Sequence, residues 1–344
     1  MSDFSCEVVP VILEKHPNAD SLSTVRVFDG YNVIVRTTDW IGIDKGVYIP
    51  PDSLVPDTEQ FKFLEGHLRI KAKKLRGIES FGMLVPVPVM EDPVGWDKKE
   101  FEIGDNVAEQ MNIKHYEPEL SSVVKNAMGV YSDPPPIPGF VYDIEPWQKY
   151  GKEFLEGEEV VITEKIHGTN ARYTFQNGRM YCGSHNTWKK NEPDGPGSIK
   201  QNMYWKILES HPWVEAFCRL NPNFILYGEI FGVVQKGYNY GSTQDNPYQF
   251  RAFDVFTNGR FLDYDDGLGG AKSDFLVPLI YRGPYAPELI LRHSEGMTML
   301  GGNHIREGCV VKPVHERWAP RFGRVILKYV SLDYLEGKKQ KNVS

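Results

Sequence analysis

The residue best suited to chemistry is Lys165, in the run Thr163–Asn170 with the sequence TEKIHGTN. A β-type run from Glu159 precedes it and Gly168 follows, so we expect its amine at a strand end, where backbone can approach a ligand closely. A lysine attacks phosphorus only as the free amine. Its ordinary pKa of about 10.4 therefore requires desolvation or nearby cations for that role. For a K-x-x-G pattern by itself, a solvated lysine at a turn is the alternative.

Two carboxylates occupy otherwise apolar strand-like runs. Glu229 interrupts Phe224–Gly232, and Glu307 stands directly before Gly308–Pro313. A buried charge without a partner is costly, so Glu229 is expected either to pair within the core or to contact a ligand, for example ribose hydroxyls. Phe253 lies in the alternating run Tyr248–Phe256, a pattern that by itself indicates a core aromatic residue.

The string around Lys165 resembles the nucleophile motif K-x-H-G-x-N of the ATP-dependent RNA ligases, a branch of the covalent nucleotidyltransferase superfamily. His167 and Asn170 favour the RNA ligases over DNA ligases and capping enzymes. Later stretches resemble the remaining motifs of that family, in the same order: Ser184–His185, Tyr227–Gly232 (Y-G-E-x-x-G), Ala252–Asp254, Glu307–Val310 (E-G-x-V) and Arg324–Ser331.

The resemblance implies a nucleotide site. Lys165 would take AMP from ATP, and Glu164 would read the adenine amino group. Further nucleotide contacts are implied for Asn170, Glu229 (on the ribose), Phe253 (stacked on adenine), and Lys312 and Lys328 (toward phosphate).

The resemblance also implies metal and RNA contacts. Glu307 would hold a Mg²⁺ or Mn²⁺ ion that keeps much of its water shell, and His167 would act mainly once RNA is bound. His185 stands where many relatives carry a basic residue, often arginine, that contacts RNA. The last motif also departs from the pattern, because Ile326 replaces the first lysine of K-x-K. The second cation is therefore open between Lys312 and Arg324.

The first ninety residues read as short strands separated by turns, a pattern that suggests a small barrel. His16–Leu22 and Leu75–Leu84 resemble tRNA-binding OB domains. In one strand with a two-residue period, Arg69, Lys71 and Lys73 would share one face. They would track nucleic-acid phosphates, or alternatively form a solvated edge that prevents sheet association.

The predicted fold class is α+β: an OB-like β-barrel domain in residues 1–130, a linker to about residue 140, and an adenylyltransferase domain in residues 131–344. The second domain is expected to be a nucleotidyltransferase (ATP-grasp-like ligase) fold of antiparallel sheets flanked by helices. Asp133–Gly139 (DPPPIPG) predicts a stiff linker. Sixteen residues follow Lys328, so we expect the OB-like module in front to replace a C-terminal domain, an order that resembles RNA ligase family 5.

Composition agrees with a globular intracellular enzyme. The 344 residues are 41% hydrophobic and 25% charged, so a core can form. The net charge of −7 argues against a generic polyanion binder, but local basic patches can still contact phosphates. Four scattered cysteines indicate neither a zinc site nor disulfides.

The start of the chain lacks the features of a signal peptide, and no apolar run approaches membrane-spanning length. We therefore expect a cytoplasmic monomer without membrane or obligate protein partners. Its expected substrates are ATP and RNA ends or a nicked duplex, including nicks with an RNA 3′-OH strand. DNA nick sealing, or RNA binding by a decayed ligase domain, are the alternatives.

Overall fold

The computed structural model describes residues 4–28, 30–88, 90–91, 98–116, 131–191, 202–234 and 237–337. The chain divides into two compact units: residues 1–118 with 146–152, and residues 119–145 with 153–344. The predicted domain boundary near residue 130 lies outside the described residues. No helix in the described ranges has the length and apolar composition needed to cross a bilayer.

The first unit consists almost entirely of short strands. Its only α-helix in the described residues is α1 (Trp147–Tyr150). The strands are β1 (Glu7–Pro10), β2 (Leu13–Lys15), β3 (Leu22–Val27), β4 (Tyr31–Arg36), β5 (Lys45–Ile49), β6 (Ser53–Leu54), β7 (Lys73–Leu75), β8 (Ile78–Ser80), β9 (Met83–Pro86), β10 (Met90–Glu91), β11 (Lys98–Lys99) and β12 (Lys114–His115).

Two three-stranded sheets, β1-β5-β9 and β2-β3-β4, carry the core of this unit. Alternation along β3 and β4 buries Val25, Val27, Val33 and Val35 in one apolar cluster, with Trp40 against them. A second cluster is centred on Val47, Ile49 and Phe61 and includes residues from β1 and β9.

The second unit contains the longer strands and most of the helices. Its strands are β13 (Tyr131–Ser132), β14 (Glu145–Pro146), β15 (Glu159–Lys165), β16 (Thr169–Gln176), β17 (Arg179–Ser184), β18 (Trp188–Lys189), β19 (Ile225–Gly232), β20 (Tyr248–Thr257), β21 (Arg260–Phe261), β22 (Leu279–Pro284), β23 (Gly308–Pro313), β24 (Trp318–Ala319), β25 (Gly323–Arg324) and β26 (Leu327–Val330). The α-helices are α2 (Met203–Ser210), α3 (Pro212–Leu220), α4 (Tyr264–Gly267), α5 (Pro287–Ser294) and α6 (Leu332–Leu335). Short 3₁₀ helices of both units span Thr37–Trp40, Glu59–Leu64, Gly151–Glu153 and Ser273–Phe275.

Two sheets organise the second unit. The larger has the order β13-β18-β17-β16-β19-β20-β21, and the smaller has the order β14-β26-β23-β15-β22. The pairs β15–β23, β16–β19 and β19–β20 are antiparallel. The fold class is therefore confirmed as α+β, with antiparallel sheets and few helices.

Helices α2 and α3 cover one face of the larger sheet. His211 separates them, and Pro212 is the first residue of α3, as the residue before a proline disfavours helix. Ile207 and Val214 are fully buried against Tyr173 and Phe250 of the sheet. The opposite face of the sheet is thereby left to carry functional side chains.

The proline-rich segment predicted as a linker is hydrogen-bonded to the larger sheet. The Ile137 amide donates to Gln176 Oε1 (2.9 Å), and Gln176 Nε2 donates to the Ile137 carbonyl (2.8 Å). Arg172 Nη1 donates to the carbonyls of Pro138 and Phe140. The prolines cannot donate to a sheet ladder, so side chains of β16 hold this segment instead.

Candidate active site

Lys165 ends β15 and faces a carboxylate from the neighbouring strand. Its partner in register is Gly308 of β23, so Glu307 stands just beyond that pair. Lys165 Nζ donates to Glu307 Oε1 over 2.8 Å. Burial lowers the pKa of Lys165, but the charges of Glu307 and Glu229 outweigh burial and raise it above its ordinary value. The amine is thus held as an ammonium ion until other cations compete for these carboxylates.

Glu307 retains acceptor capacity. Its Oε2 atom is buried and has no hydrogen-bond partner in the described part of the chain, and His167 Nδ1 lies 3.7 Å away. Burial acts against ionisation, yet the charges of Lys165 and His167 lower the pKa of Glu307 to about 2. A charged carboxylate oxygen with no partner is a strong site for a cation or a donor.

Two tyrosines that the sequence analysis did not single out fix His167. The Tyr334 hydroxyl lies 2.6 Å from His167 Nδ1, and the His167 backbone amide donates to the Tyr240 hydroxyl over 2.7 Å. The Tyr238 ring packs at 5.0 Å from the imidazole. Tyr240 and Tyr334 follow His167 by 73 and 167 positions in the chain, so no local pattern indicated them.

Asn170 and Glu229 are directly opposed on β16 and β19, which places their side chains on one face. Burial raises the pKa of Glu229 to about 8, although the charge of Lys165 acts in the opposite direction. Asn170 Oδ1 is buried, and no described residue donates a hydrogen bond to it. At Gly168, an added Cβ would lie 2.2 Å from the Ile230 carbonyl oxygen, so only glycine permits this close strand approach.

Lys328 lies in β26 and pairs in register with Val310 of β23. Burial, and then the positive charge of Lys165, lower the pKa of Lys328. Lys165 and Lys328 therefore act on each other as like charges, and an anion between them would relieve the repulsion. The phosphate contact of Lys328 stays a prediction.

Glu164 directly precedes Lys165 in β15. Its buried side chain contacts a different segment from the one that Lys165 contacts. Its carboxylate accepts hydrogen bonds from Thr298 Oγ1 (2.6 Å) and from the Met299 amide (2.7 Å). Burial raises its pKa. Both oxygens already have a protein donor, so recognition of the adenine amino group by Glu164 stays a prediction.

Phe253 packs against two clusters of buried apolar residues. Its ring centroid lies 4.6 Å from that of Tyr142, and the two ring planes are inclined by 47°. The ring is partly buried rather than enclosed in the core. Stacking of Phe253 on adenine stays a prediction.

Lys312 belongs to a buried ionic network rather than to the Lys165 cluster. Its Nζ pairs with Asp254 Oδ1 and lies 3.5 Å from Glu316 Oε1. Arg324 pairs with Asp254 Oδ2 over 2.9 Å and also with Glu316. Two cations and two carboxylates therefore neutralise one another, and Tyr142 donates a further hydrogen bond to Asp254. Lys312 is therefore paired with carboxylates instead of being available to a phosphate, and Arg324 is paired with the same carboxylates.

The predicted nucleic-acid contact at His185 involves a half-buried imidazole. His185 Nε2 lies 3.3 Å from Asp143 Oδ1. Burial lowers the pKa of His185, although the Asp143 charge raises it. The imidazole is thus neutral unless a further anion approaches, and its RNA contact stays a prediction.

In the first unit, Arg69, Lys71 and Lys73 alternate with buried Ile70 and Ala72. They do not form one continuous strand: β7 begins at Lys73, and Arg69 forms only an isolated bridge. Arg69 is also bound by Asp52, with Nη2 and Oδ1 2.6 Å apart, and lies over the Tyr116 ring. Lys71 and Lys73 are exposed.

The site fits a divalent cation that relies on few protein ligands. Among the described residues, no group of three or more His, Cys, Asp or Glu side chains is placed to hold a metal. Glu307 nevertheless offers a charged, buried oxygen without a partner. Magnesium commonly binds through one or two carboxylates together with water and substrate phosphates.

The sequence profile of the RNA ligase family matches residues 158–330, half of the chain, and that of an OB-fold domain matches residues 8–87. The chain belongs to the RNA ligase family. Comparison with curated proteins finds no match. The OB-like module and the ligase domain expected from the sequence are confirmed.

Solved structures of another RNA ligase have the same fold. A variant of Naegleria gruberi RNA ligase with ATP and Mn is 20% identical, with a TM-score of 0.74 over 97% of this chain and 99% of that chain. A second variant without ligand is 21% identical, with a TM-score of 0.75 over 96% and 97%. The Naegleria enzyme with pyrophosphate is 20% identical, with a TM-score of 0.73 over 96% and 98%.

Proposed function

We propose that this RNA ligase family member uses ATP to seal breaks with a 3′-OH and a 5′-phosphate in RNA, through an adenylate on Lys165. The observation that carries the proposal is the pairing of Lys165 Nζ with Glu307 Oε1 at 2.8 Å, beside a second Glu307 oxygen that accepts no hydrogen bond from the described residues. The Naegleria gruberi structures with ATP, AMP and Mn support the cofactors.

The reaction is a sequence of three phosphoryl transfers. Lys165 Nζ bonds to the α-phosphorus of ATP, the bond to the bridging oxygen breaks, and pyrophosphate leaves. An oxygen of the RNA 5′-phosphate then takes the adenylyl group and frees Lys165. Finally the RNA 3′-OH attacks the activated 5′-phosphorus and AMP leaves. Alignment and charge stabilisation are the main tasks of the protein in such transfers.

The residues of this chain divide these tasks. Lys165 is the nucleophile, and its proton must leave before attack. Lys328 binds phosphate charge, and Asn170 binds the nucleoside through its buried Oδ1 atom, which has no hydrogen-bond partner among the described residues. Glu229, directly opposed to Asn170, binds the ribose hydroxyls, as the family motif implies. Glu307 would hold a Mg²⁺ or Mn²⁺ ion, which when bound neutralises phosphate charge and favours the free amine.

His167 serves the steps in which RNA is present. Its imidazole is fixed by Tyr334, and its backbone by Tyr240. Phe253 stacks on adenine, as the family motif implies. Lys312 and Arg324 support the site from the buried network.

The test is labelling with α-³²P-ATP and a divalent ion, followed by peptide mapping. We expect the label on Lys165 in the wild type, and none in Lys165→Ala. Equal labelling of both would overturn the nucleophile. A panel of nicked duplexes with RNA or DNA at the 3′-OH side then tests the substrate, and faster sealing of all-DNA nicks would contradict an RNA ligase.

A further inference from the structure

The larger sheet carries a recess that the proposed chemistry does not use. Its volume is about 190 Å³, and its walls include Phe231, Tyr240, Gln249, Arg251 and Leu300. This is smaller than the roughly 300–1,000 Å³ typical of sites that enclose a whole small molecule. It therefore suits one unit of a larger ligand.

The recess lies beside the candidate active site. Arg251 is directly opposed to Glu229 in the β19–β20 register, and Gln249 is opposed to Phe231. Directly opposed residues in antiparallel strands project from the same face. Arg251 and Gln249 thus extend, on one face, the row that contains Asn170 and Glu229.

Tyr240 joins the recess to the nucleophile loop, residues 166–168, which follow Lys165. Its ring packs edge-on against Phe231, with centroids 5.3 Å apart, and forms a buried wall. Its hydroxyl accepts the hydrogen bond from the His167 amide, two residues after Lys165. A molecule in the recess would therefore lie against the residue that fixes this loop.

The charged group of the recess, Arg251, has unused donor capacity. Arg251 Nε is buried and has no hydrogen-bond partner among the described residues. The described residues that line the recess include no carboxylate. Burial lowers the pKa of the guanidinium, although the charge of Asp274 acts in the opposite direction. A buried guanidinium nitrogen without a hydrogen-bond partner favours a phosphate, since phosphate accepts from the guanidinium fork.

The rim adds neutral polar groups. Thr243 and Asn246 are exposed at the opening, and Gln249 is partly exposed. Hydroxyl and amide groups can both donate to and accept from sugar hydroxyls. A cation, neutral polar groups and an apolar wall together match a ribose with its phosphate.

We propose that this recess binds the terminal ribose-phosphate of the RNA strand that ends in the 3′-OH. The inference rests on the proposed function. In that reaction the 5′-phosphate end is held through its adenylate at the Lys165 site. The 3′-OH strand has no covalent attachment, so it requires a binding site of its own next to the nucleophile loop.

The first experiment measures joining of a pre-adenylated RNA donor to an RNA acceptor under single-turnover conditions. We expect Arg251→Ala, and Thr243→Trp at the exposed opening, to raise the acceptor concentration for half-maximal rate by about tenfold or more. The half-maximal concentration of donor should not change. Arg251→Lys should recover part of the loss, and Arg219→Ala, at an exposed arginine paired with Glu215, should have no effect.

An unchanged acceptor requirement in both recess variants would overturn the proposal, as would a shift in the donor requirement alone. Lysyl-AMP formation from ATP without RNA is measured in parallel. If the wild type forms no adduct on Lys165, the proposed function itself fails. If adduct formation is normal in all variants but acceptor binding is not affected, only the recess assignment fails.

The second experiment locates the strand directly. A nicked RNA duplex carries 4-thiouridine either at the 3′-OH nucleotide or at the 5′-phosphate nucleotide, and is irradiated with the full-length protein. The 3′-OH probe should crosslink to the peptide containing residues 237–251, and Thr243→Trp should reduce that product. Crosslinking of this peptide by the 5′ probe alone, or by neither probe, would overturn the assignment.

Discussion

Two lysines on adjacent strands of the smaller sheet have opposite surroundings. Lys312 and Arg324 face Asp254 and Glu316, so two cations meet two carboxylates. Lys165 and Lys328 face Glu307, which has one oxygen without a partner, and Glu229, whose pKa is raised to about 8. The first cluster is satisfied by the protein, whereas the second has capacity for a ligand.

Exposure supports the same division. The side chains of Lys312 and Asp254 are 6% and 2% exposed, whereas Lys165 and Glu307 are 23% and 10% exposed. A buried, paired charge contributes to structure because removing one partner leaves the other desolvated. A lysine in a motif strand is therefore identified as structural or reactive by its partners and not by its position in the motif.

The largest expected effect is a difference in lysyl-AMP formation between variants of Lys165 and Lys312. Lys165→Met should abolish the adenylate label, because no other amine occupies the strand end. Lys312→Met should keep the label in its folded fraction. Labelling with α-³²P-ATP at a temperature where both variants are folded checks this. Loss of the label in folded Lys312→Met would restore Lys312 as a phosphate ligand.

The next effect separates them by stability. Lys312→Met removes a cation from the buried network, and we expect a loss of about 3–5 kcal/mol in the free energy of unfolding. Lys165→Met should lower the free energy of unfolding much less. The Lys165 site is more exposed than the network, and one Glu307 oxygen accepts no hydrogen bond from the described residues. Urea denaturation of both variants measures the difference. Equal losses would contradict the division into a structural and a functional cluster.

The pH dependence of stability should differ in sign between the clusters. The pKa of Glu229 is raised in the fold, so its contribution to stability falls as pH rises from about 4.5 to 8. Arg324 and Lys312 overcome the effect of burial and lower the pKa of Asp254, so its contribution falls as the pH drops below about 4.

Glu229→Gln should therefore gain stability relative to wild type as pH rises from 5 to 8. Denaturation at both pH values measures this gain. A constant difference between the variant and the wild type would show that Glu229 ionises in the fold as it does in the unfolded chain.

The smallest effect concerns the positioning of His167. Tyr334→Phe removes one hydrogen bond to Nδ1, worth about 1 kcal/mol, and should slow RNA sealing about fivefold. Lysyl-AMP formation without RNA should change little. Tyr238→Phe is the matched control, because Tyr238 contacts the same imidazole through its ring. Equal slowing by both variants would indicate a packing effect instead.

Much of the fold could be predicted because its signals are local. The alternation in β3 and β4, the β-type run before Lys165 and the proline that begins α3 each specify their own element. The order of motifs likewise predicted the family. The basic residues Arg69, Lys71 and Lys73 show the limit of such patterns: their alternation holds, but the continuous strand does not form, and Asp52 already binds Arg69.

The residue types at the strand ends can be read directly from the chain: the lysine before a glycine turn, and the carboxylates in or next to apolar strands. Which charges meet depends on the tertiary structure. Pairing energies depend on distance and burial between residues far apart in the chain, as with Lys312 and Asp254 or His167 and Tyr334. No spacing within one strand contains that information, so the division between a saturated network and an open site had to come from the fold.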